Sequence, residues 1–171
     1  MKKNILLPAL LGILLYFVNV RVLMAITMNG FDLDEPLVAE ELIKRGGPPR
    51  DGIPSIDEPR FIAAAEAHFL KADDRVLGLV IKNEARAYPL AILNWHEIVN
   101  DEFTGLTVII SFCPLCGTGM AFEPEPPVRE FGVSGLLYKS DVLLYDRETG
   151  SLWSQIMARA INGPRIGRSL R

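Results

Sequence analysis

The chain has 171 residues, enough for one domain with a sizeable core behind an N-terminal leader. Hydrophobic residues make up 49% and charged residues 23%, the balance of a folded globular protein. A formal net charge of −3 argues against a nucleic-acid partner, which favours a basic face, and two cysteines exclude a disulfide-framework fold.

Lys2 and Lys3 precede an apolar run over 5–20, followed by Arg21 and a short apolar tail ending at Ala25. A basic start, an apolar core and a small residue at the end read as a secretory signal. Leu23 is bulkier than a cleavage site after Ala25 prefers, and about 20 apolar residues suffice to span a bilayer, so a membrane anchor stays open. No Cys follows the run, which argues against a lipid anchor. Either reading expects an exported protein, periplasmic or extracellular, with membrane association if the leader is retained. Residues 1–25 hold three basic and no acidic residues, so the remainder has 15 basic against 21 acidic, or −6.

Residues 26–59 read as an extended, loop-rich arm with a short helix around 37–44. Gly46-Gly47-Pro48-Pro49-Arg50-Asp51-Gly52-Ile53-Pro54 suits neither helix nor central strand and reads as a surface loop. The globular part is expected over 60–171. Asp57 and Pro59 are a plausible helix start, and Phe61, Ala65 and Phe69 share one face of a helix over 60–70. His68, near that stripe, reads as a packing or surface residue.

Two short strands, 76–81 and 85–88, flank Lys82-Asn83-Glu84 as a hairpin. Pro89 opens a helix over 90–100, with Ile92, His96 and Val99 on its inward stripe. The β-branched and aromatic run 106–112 predicts a buried strand, 120–122 an extended segment, and the Pro-rich stretch 123–127 an exposed connector. Strands over 131–138 and 141–145 follow, and 146–150 turn the chain into 151–155. The class this predicts is α+β: a β-rich single domain with a few short helices and no internal repeats.

Cys113-Pro114-Leu115-Cys116-Gly117 leaves the predicted strand 106–112 directly. Such a pair can bind a metal through two thiolates, cycle as dithiol and disulfide, or form a static disulfide. Redox pairs of the thioredoxin type sit at a helix N-terminus, whose dipole lowers the thiol pKa. Gly117, Thr118 and Gly119 are poor helix material, and a strand running into C-P-x-C-G looks like a metal knuckle. A complete zinc site wants four ligands, and a second C-x-x-C is absent. On the inward stripe, His96 must find a polar partner and is the best candidate for a third ligand; a backbone carbonyl is the alternative. Two thiolates and an imidazole would suit Zn²⁺ or Cu(I), and Met120 could add a thioether, although Met in an apolar strand is usually core.

In 141–145, alternation sets Asp141 opposite Val142 and Leu144, which places its carboxylate at the surface if those two face the core. Asp146-Arg147-Glu148 reads as a structural turn rather than acid–base machinery, and Trp153 as a core anchor or a ligand wall. No nucleophile elbow, zincin helix, phosphate loop or dinucleotide fingerprint is present, and Ser134 in Gly132-Val133-Ser134-Gly135 lacks nucleophile spacing.

Four stretches carry a resemblance: GGPPRDGIPSIDEPRF at 46–61, AYPLAILNWHEIVND at 87–101, SFCPLCGTGMAF at 111–122 and FGVSGLLYKSDVLLYDRETGSLWSQ at 131–155. Together and in this order they resemble the domain of unknown function family 3179, a group of exported and membrane-associated bacterial and archaeal proteins. The resemblance implies no reaction. It does imply that the Cys turn, the His96 segment and the stretch from Tyr138 to Gln155 form one site region. Similar proteins usually run on past the equivalent of Ile161-Asn162-Gly163-Pro164, whereas this sequence ends at Arg171, which leaves a C-terminal truncation open.

The leading expectation is an exported protein binding a soft metal through Cys113, Cys116 and His96. A thiol–disulfide protein using the same pair is the second, and a non-catalytic cell-envelope binding module the third.

Overall fold

The computed structural model describes residues 26–171; the leader read at 1–25 lies outside the described residues. Among the described residues no helix is long and apolar enough to cross a membrane. Short strands dominate. The strands β1 (Ile26–Met28) and β2 (Phe31–Leu33) pair as a hairpin, as do β4 (Val76–Ile81) and β5 (Glu84–Pro89). A helix, α1 (Leu90–His96), leads into a three-stranded antiparallel sheet of β6 (Ile98–Phe103), β7 (Leu106–Cys113) and β8 (Thr118–Phe122). A five-stranded sheet is ordered β12 (Arg159–Asn162), β11 (Leu152–Ser154), β10 (Asp141–Asp146), β9 (Phe131–Tyr138) and β3 (Ile43–Arg45).

These sheets stack, and the side-chain alternation of each strand sorts its residues between two hydrophobic layers. Ile98, Ile109 and Phe122 of the three-stranded sheet pack against Phe131, Val133, Val142, Leu144 and Trp153 of the five-stranded one. The other face of the larger sheet, Leu136, Leu143, Tyr145, Leu152 and Ile161, packs on Phe31 and Leu33 of the first hairpin. The other face of the smaller sheet, Val99, Phe103, Val108, Ile110 and Phe112, packs on Tyr88, Leu93 and the inward residues Leu77, Leu79 and Ile81. Covered on both sides, β10 is buried along its whole length, which is why Leu-Leu-Tyr runs without polar interruption.

The class expected from the sequence stands in its coarse form: a β-rich domain with one α-helix and several sheets. The predicted helix over 60–70 reduces to a single 3₁₀ turn, Ala64–Glu66. Phe61 and Phe69 stay 43% and 62% exposed, so no buried face rewards the cost of nucleating a short helix. Around 37–44 there is again only a 3₁₀ turn, Glu40–Leu42, before β3 pairs with β9. The helix expected over 90–100 stops at His96, because Glu97 takes a left-handed φ of 58° and β-branched Ile98 and Val99 join the ladder to β7. Leu93 is its buried anchor, while Ile92 is 38% exposed, so the expected inward stripe is displaced. In the connector, Pro124 is buried rather than exposed.

Two devices fasten the arm to this stack. Gly135 has a φ of +69°, and a Cβ there would lie 2.1 Å from the Pro48 carbonyl oxygen, so only glycine lets the 46–49 loop lie against β9. Asn100 clamps Phe131 with both ends of its amide, donating from Nδ2 to the carbonyl at 2.9 Å and accepting from the N–H at 2.8 Å. It also donates to Asp57 at 2.8 Å, and its own N–H reaches the Ile56 carbonyl. Asn100→Ala leaves two buried main-chain groups unpaired and is expected to destabilise the fold by about 2–5 kcal/mol, read as a lowered urea midpoint with an unchanged slope.

Glu97 is 8% exposed, and burial pushes its carboxyl up to about 7 from an ordinary 4.5. The unfolded chain releases this proton at the lower pH, so stability is full below about 4.5 and falls as pH rises towards 7. Glu97→Gln is expected to abolish this component, on the order of 3 kcal/mol, and to raise the denaturation midpoint at pH 8 relative to wild type.

Candidate metal centre

Strand β7 ends with Ser111, Phe112 and Cys113, all buried; alternation sends Ser111 and Cys113 towards the five-stranded sheet and Phe112 the other way. The turn that follows is closed by the Gly117 N–H donating to the Cys113 carbonyl at 2.8 Å, with Gly117 at a φ of +67°. Thr118 then pairs with Cys113 as β8 returns. The bend delivers one fully buried cysteine, Cys113, and one exposed cysteine, Cys116.

Across the gap, β9 turns into β10 through Lys139 and Ser140, both left-handed with φ of 49° and 68°. Their geometry suits the twist of a two-residue hairpin and starts β10 at Asp141. Asp141 is 5% exposed, contrary to the surface position that alternation suggested, because the strand is covered on both faces. Its Oδ1 lies 3.2 Å from Cys116 Sγ, and its Oδ2 accepts the Ile156 N–H at 3.0 Å. Cys116 Sγ also lies 3.2 Å from Thr118 Oγ1, and Cys113 Sγ 4.0 Å from the Ser140 carbonyl. The ligand atoms of Cys113, Cys116 and Asp141 all lie within 4.8 Å of one another.

A tetrahedral zinc with sulfur at about 2.3 Å and oxygen at about 2.0 Å sets S···S near 3.8 Å and S···O near 3.5 Å. The Cys116 Sγ to Asp141 Oδ1 distance of 3.2 Å lies just inside the S···O value, and the 4.8 Å limit on the whole group lies about 1 Å outside the S···S value. Desolvation, then the hydrogen bond with Cys116, pushes the Cys113 thiol up to about 11. A thiol held that high stays protonated at neutral pH, and a bound cation would favour its thiolate form.

His96 does not belong to this group. It sits half-buried at the C-terminal end of α1, and its Nδ1 lies 2.8 Å from the Pro54 carbonyl oxygen. That is the backbone-bonded alternative weighed for it in the sequence. Met120 packs, partly buried, on the hydrophobic layer between the two sheets.

Sequence reasoning missed Asp141 and the support beneath it. Gln155 is fully buried, and its Nε2 donates to Ser111 Oγ at 2.9 Å and to the Thr118 carbonyl at 3.3 Å. Among the described residues its Oε1 has no hydrogen-bond partner. Asp146 behaves as the structural turn residue expected, accepting from the Thr149 N–H and hydroxyl and from Trp153 Nε1. Trp153 is a core anchor, edge-on to Phe131. The signal for Asp141 was present: an acid interrupting an otherwise apolar strand directly after a tight turn.

Stacked antiparallel sheets with a two-cysteine bend set against a buried aspartate define a β-rich domain with the donors for a small cation. The chain belongs to the family described as Protein of unknown function (DUF3179), whose family model matches residues 50–171. That match takes in both cysteines and Asp141. No curated protein and no solved structure matches the chain.

Proposed function

We propose that this protein binds zinc through Cys113, Cys116 and Asp141. The observation that carries the reading is the convergence of the three donor atoms within 4.8 Å. Two thiolates with one carboxylate suit a borderline ion such as Zn²⁺ better than Cu(I), which prefers an all-soft set. Three protein ligands beside an exposed thiol leave a fourth position for water or another molecule, the pattern of an open rather than a closed structural site. The Ile156 N–H on Asp141 supplies the outer hydrogen bond that orients a ligating carboxylate. The sequence of the leader supports an extracytoplasmic setting for this centre.

Elemental analysis and chelator competition on the purified, reduced full chain test the assignment. Wild type is expected to hold one zinc, and Cys113→Ser or Cys116→Ser to lose it. Asp141→Ala is expected to weaken zinc by more than about 100-fold, beyond the 10–100-fold cost of losing an outer-shell partner. His96→Ala is expected to leave the stoichiometry unchanged. Metal-free wild type with a reversible Cys113–Cys116 disulfide would overturn the reading in favour of the redox one.

A further inference from the structure

Away from the cysteines, the segment 59–72 and the β4–β5 hairpin enclose a cavity of about 860 Å³. Its size is that of a small-molecule site, and such sites are mostly apolar with a few placed polar groups. Phe61, Phe69, Val80 and Ile92 line it and are 43%, 62%, 68% and 38% exposed. Isolated exposed apolar residues are ordinary, but four around one hollow form a patch that calls for an occupant. The hairpin register adds to this. Val76, Gly78 and Val80 of β4 face outward with Pro89, Ala87 and Ala85 of β5, so this face carries no polar side chain, where a solvated sheet face would alternate to polar residues.

The lining charges are uneven. Glu84 is its one acid, and Arg86 is already held by Glu84 and by Asp101. Arg86 lies under Phe61 at 4.7 Å, and Tyr88 donates to Asp101 at 2.6 Å, so the polar floor is internally satisfied. Arg60 and Lys71 also line the cavity, are exposed, and form no ion pair among the described residues. The lining therefore has two positive side chains outside any ion pair of the described residues, beside an apolar hollow.

We propose that this cavity binds a single-chain anionic amphiphile, with the acyl chain between the 59–72 segment and the hairpin and the head group at Arg60 and Lys71. The inference is independent of the zinc centre. Burying the chain against Val80, Ala85 and Phe69 supplies non-directional affinity, and the two cations select the sign of the head group.

The test uses the full chain with 11-(dansylamino)undecanoate below its micellar concentration. Dansyl emission is expected to saturate at one probe per chain and to be displaced by dodecanoate. Arg60→Glu with Lys71→Glu is expected to weaken dodecanoate about tenfold while leaving dodecanol unchanged, two exposed charge contacts being worth about that much. Val80→Glu and Ala85→Trp, the second filling the hollow with an apolar ring, are each expected to abolish saturable binding with unchanged circular dichroism. Probe binding that survives both variants would overturn the proposal. So would association only with phosphatidylglycerol vesicles, which would make this face a membrane-docking surface. A concentration-dependent dimer that shields Val80 would overturn it as well.

Discussion

The candidate site depends on one short segment that grips both of its halves. Gln155 donates to Ser111 and Thr118, which flank the cysteine bend on β7 and β8, while the next residue, Ile156, donates its N–H to Asp141 on β10. The bend belongs to the three-stranded sheet and the aspartate to the five-stranded sheet. Asn100 ties the same two sheets at Phe131, and the Gln155–Ile156 segment adds the direction at the site that the apolar layer between the sheets, strong but non-directional, does not supply. Hydrogen bonds made in such a dry setting fix positions more tightly than they add net stability.

The layered stack explains why the site is half-buried. Cys113 belongs to the inter-sheet layer and is desolvated by it, whereas Cys116 lies past the bend, at the rim. Asp141 opens a strand with no solvent face and has the Ile156 N–H and the Cys116 thiol as its partners. A buried acid beside two thiols is a donor set that could hold a divalent cation. The Gln155 carbonyl, without a hydrogen-bond partner among the described residues, lies in the same region beneath the bend.

Much of the sheet architecture was legible in the sequence. The hairpin from Val76, the buried strand into Cys113 and the pair of strands from Phe131 and Asp141 follow from β-branched runs and turn residues, which are local signals. The helices were read less well. At 60–70 propensity pointed to a helix, but exposed Phe61 and Phe69 provide no packed face to sustain it. At Glu97 a left-handed residue without glycine ends the helix, which no local pattern announces. That early stop carries His96 out of the expected stripe and onto the Pro54 carbonyl. Asp141 was misjudged because alternation along one strand is silent on whether both faces of its sheet are covered. The cysteine bend is a local motif; its partner is a tertiary contact across 25 residues.

Zinc K-edge X-ray absorption on the zinc-loaded chain tests the central claim most directly. The account predicts two sulfur scatterers at about 2.3 Å and only oxygen scatterers at about 2.0–2.2 Å, without the outer-shell pattern of an imidazole ring. A shell with imidazole scattering, or one with no sulfur, would contradict the Cys113–Cys116–Asp141 centre.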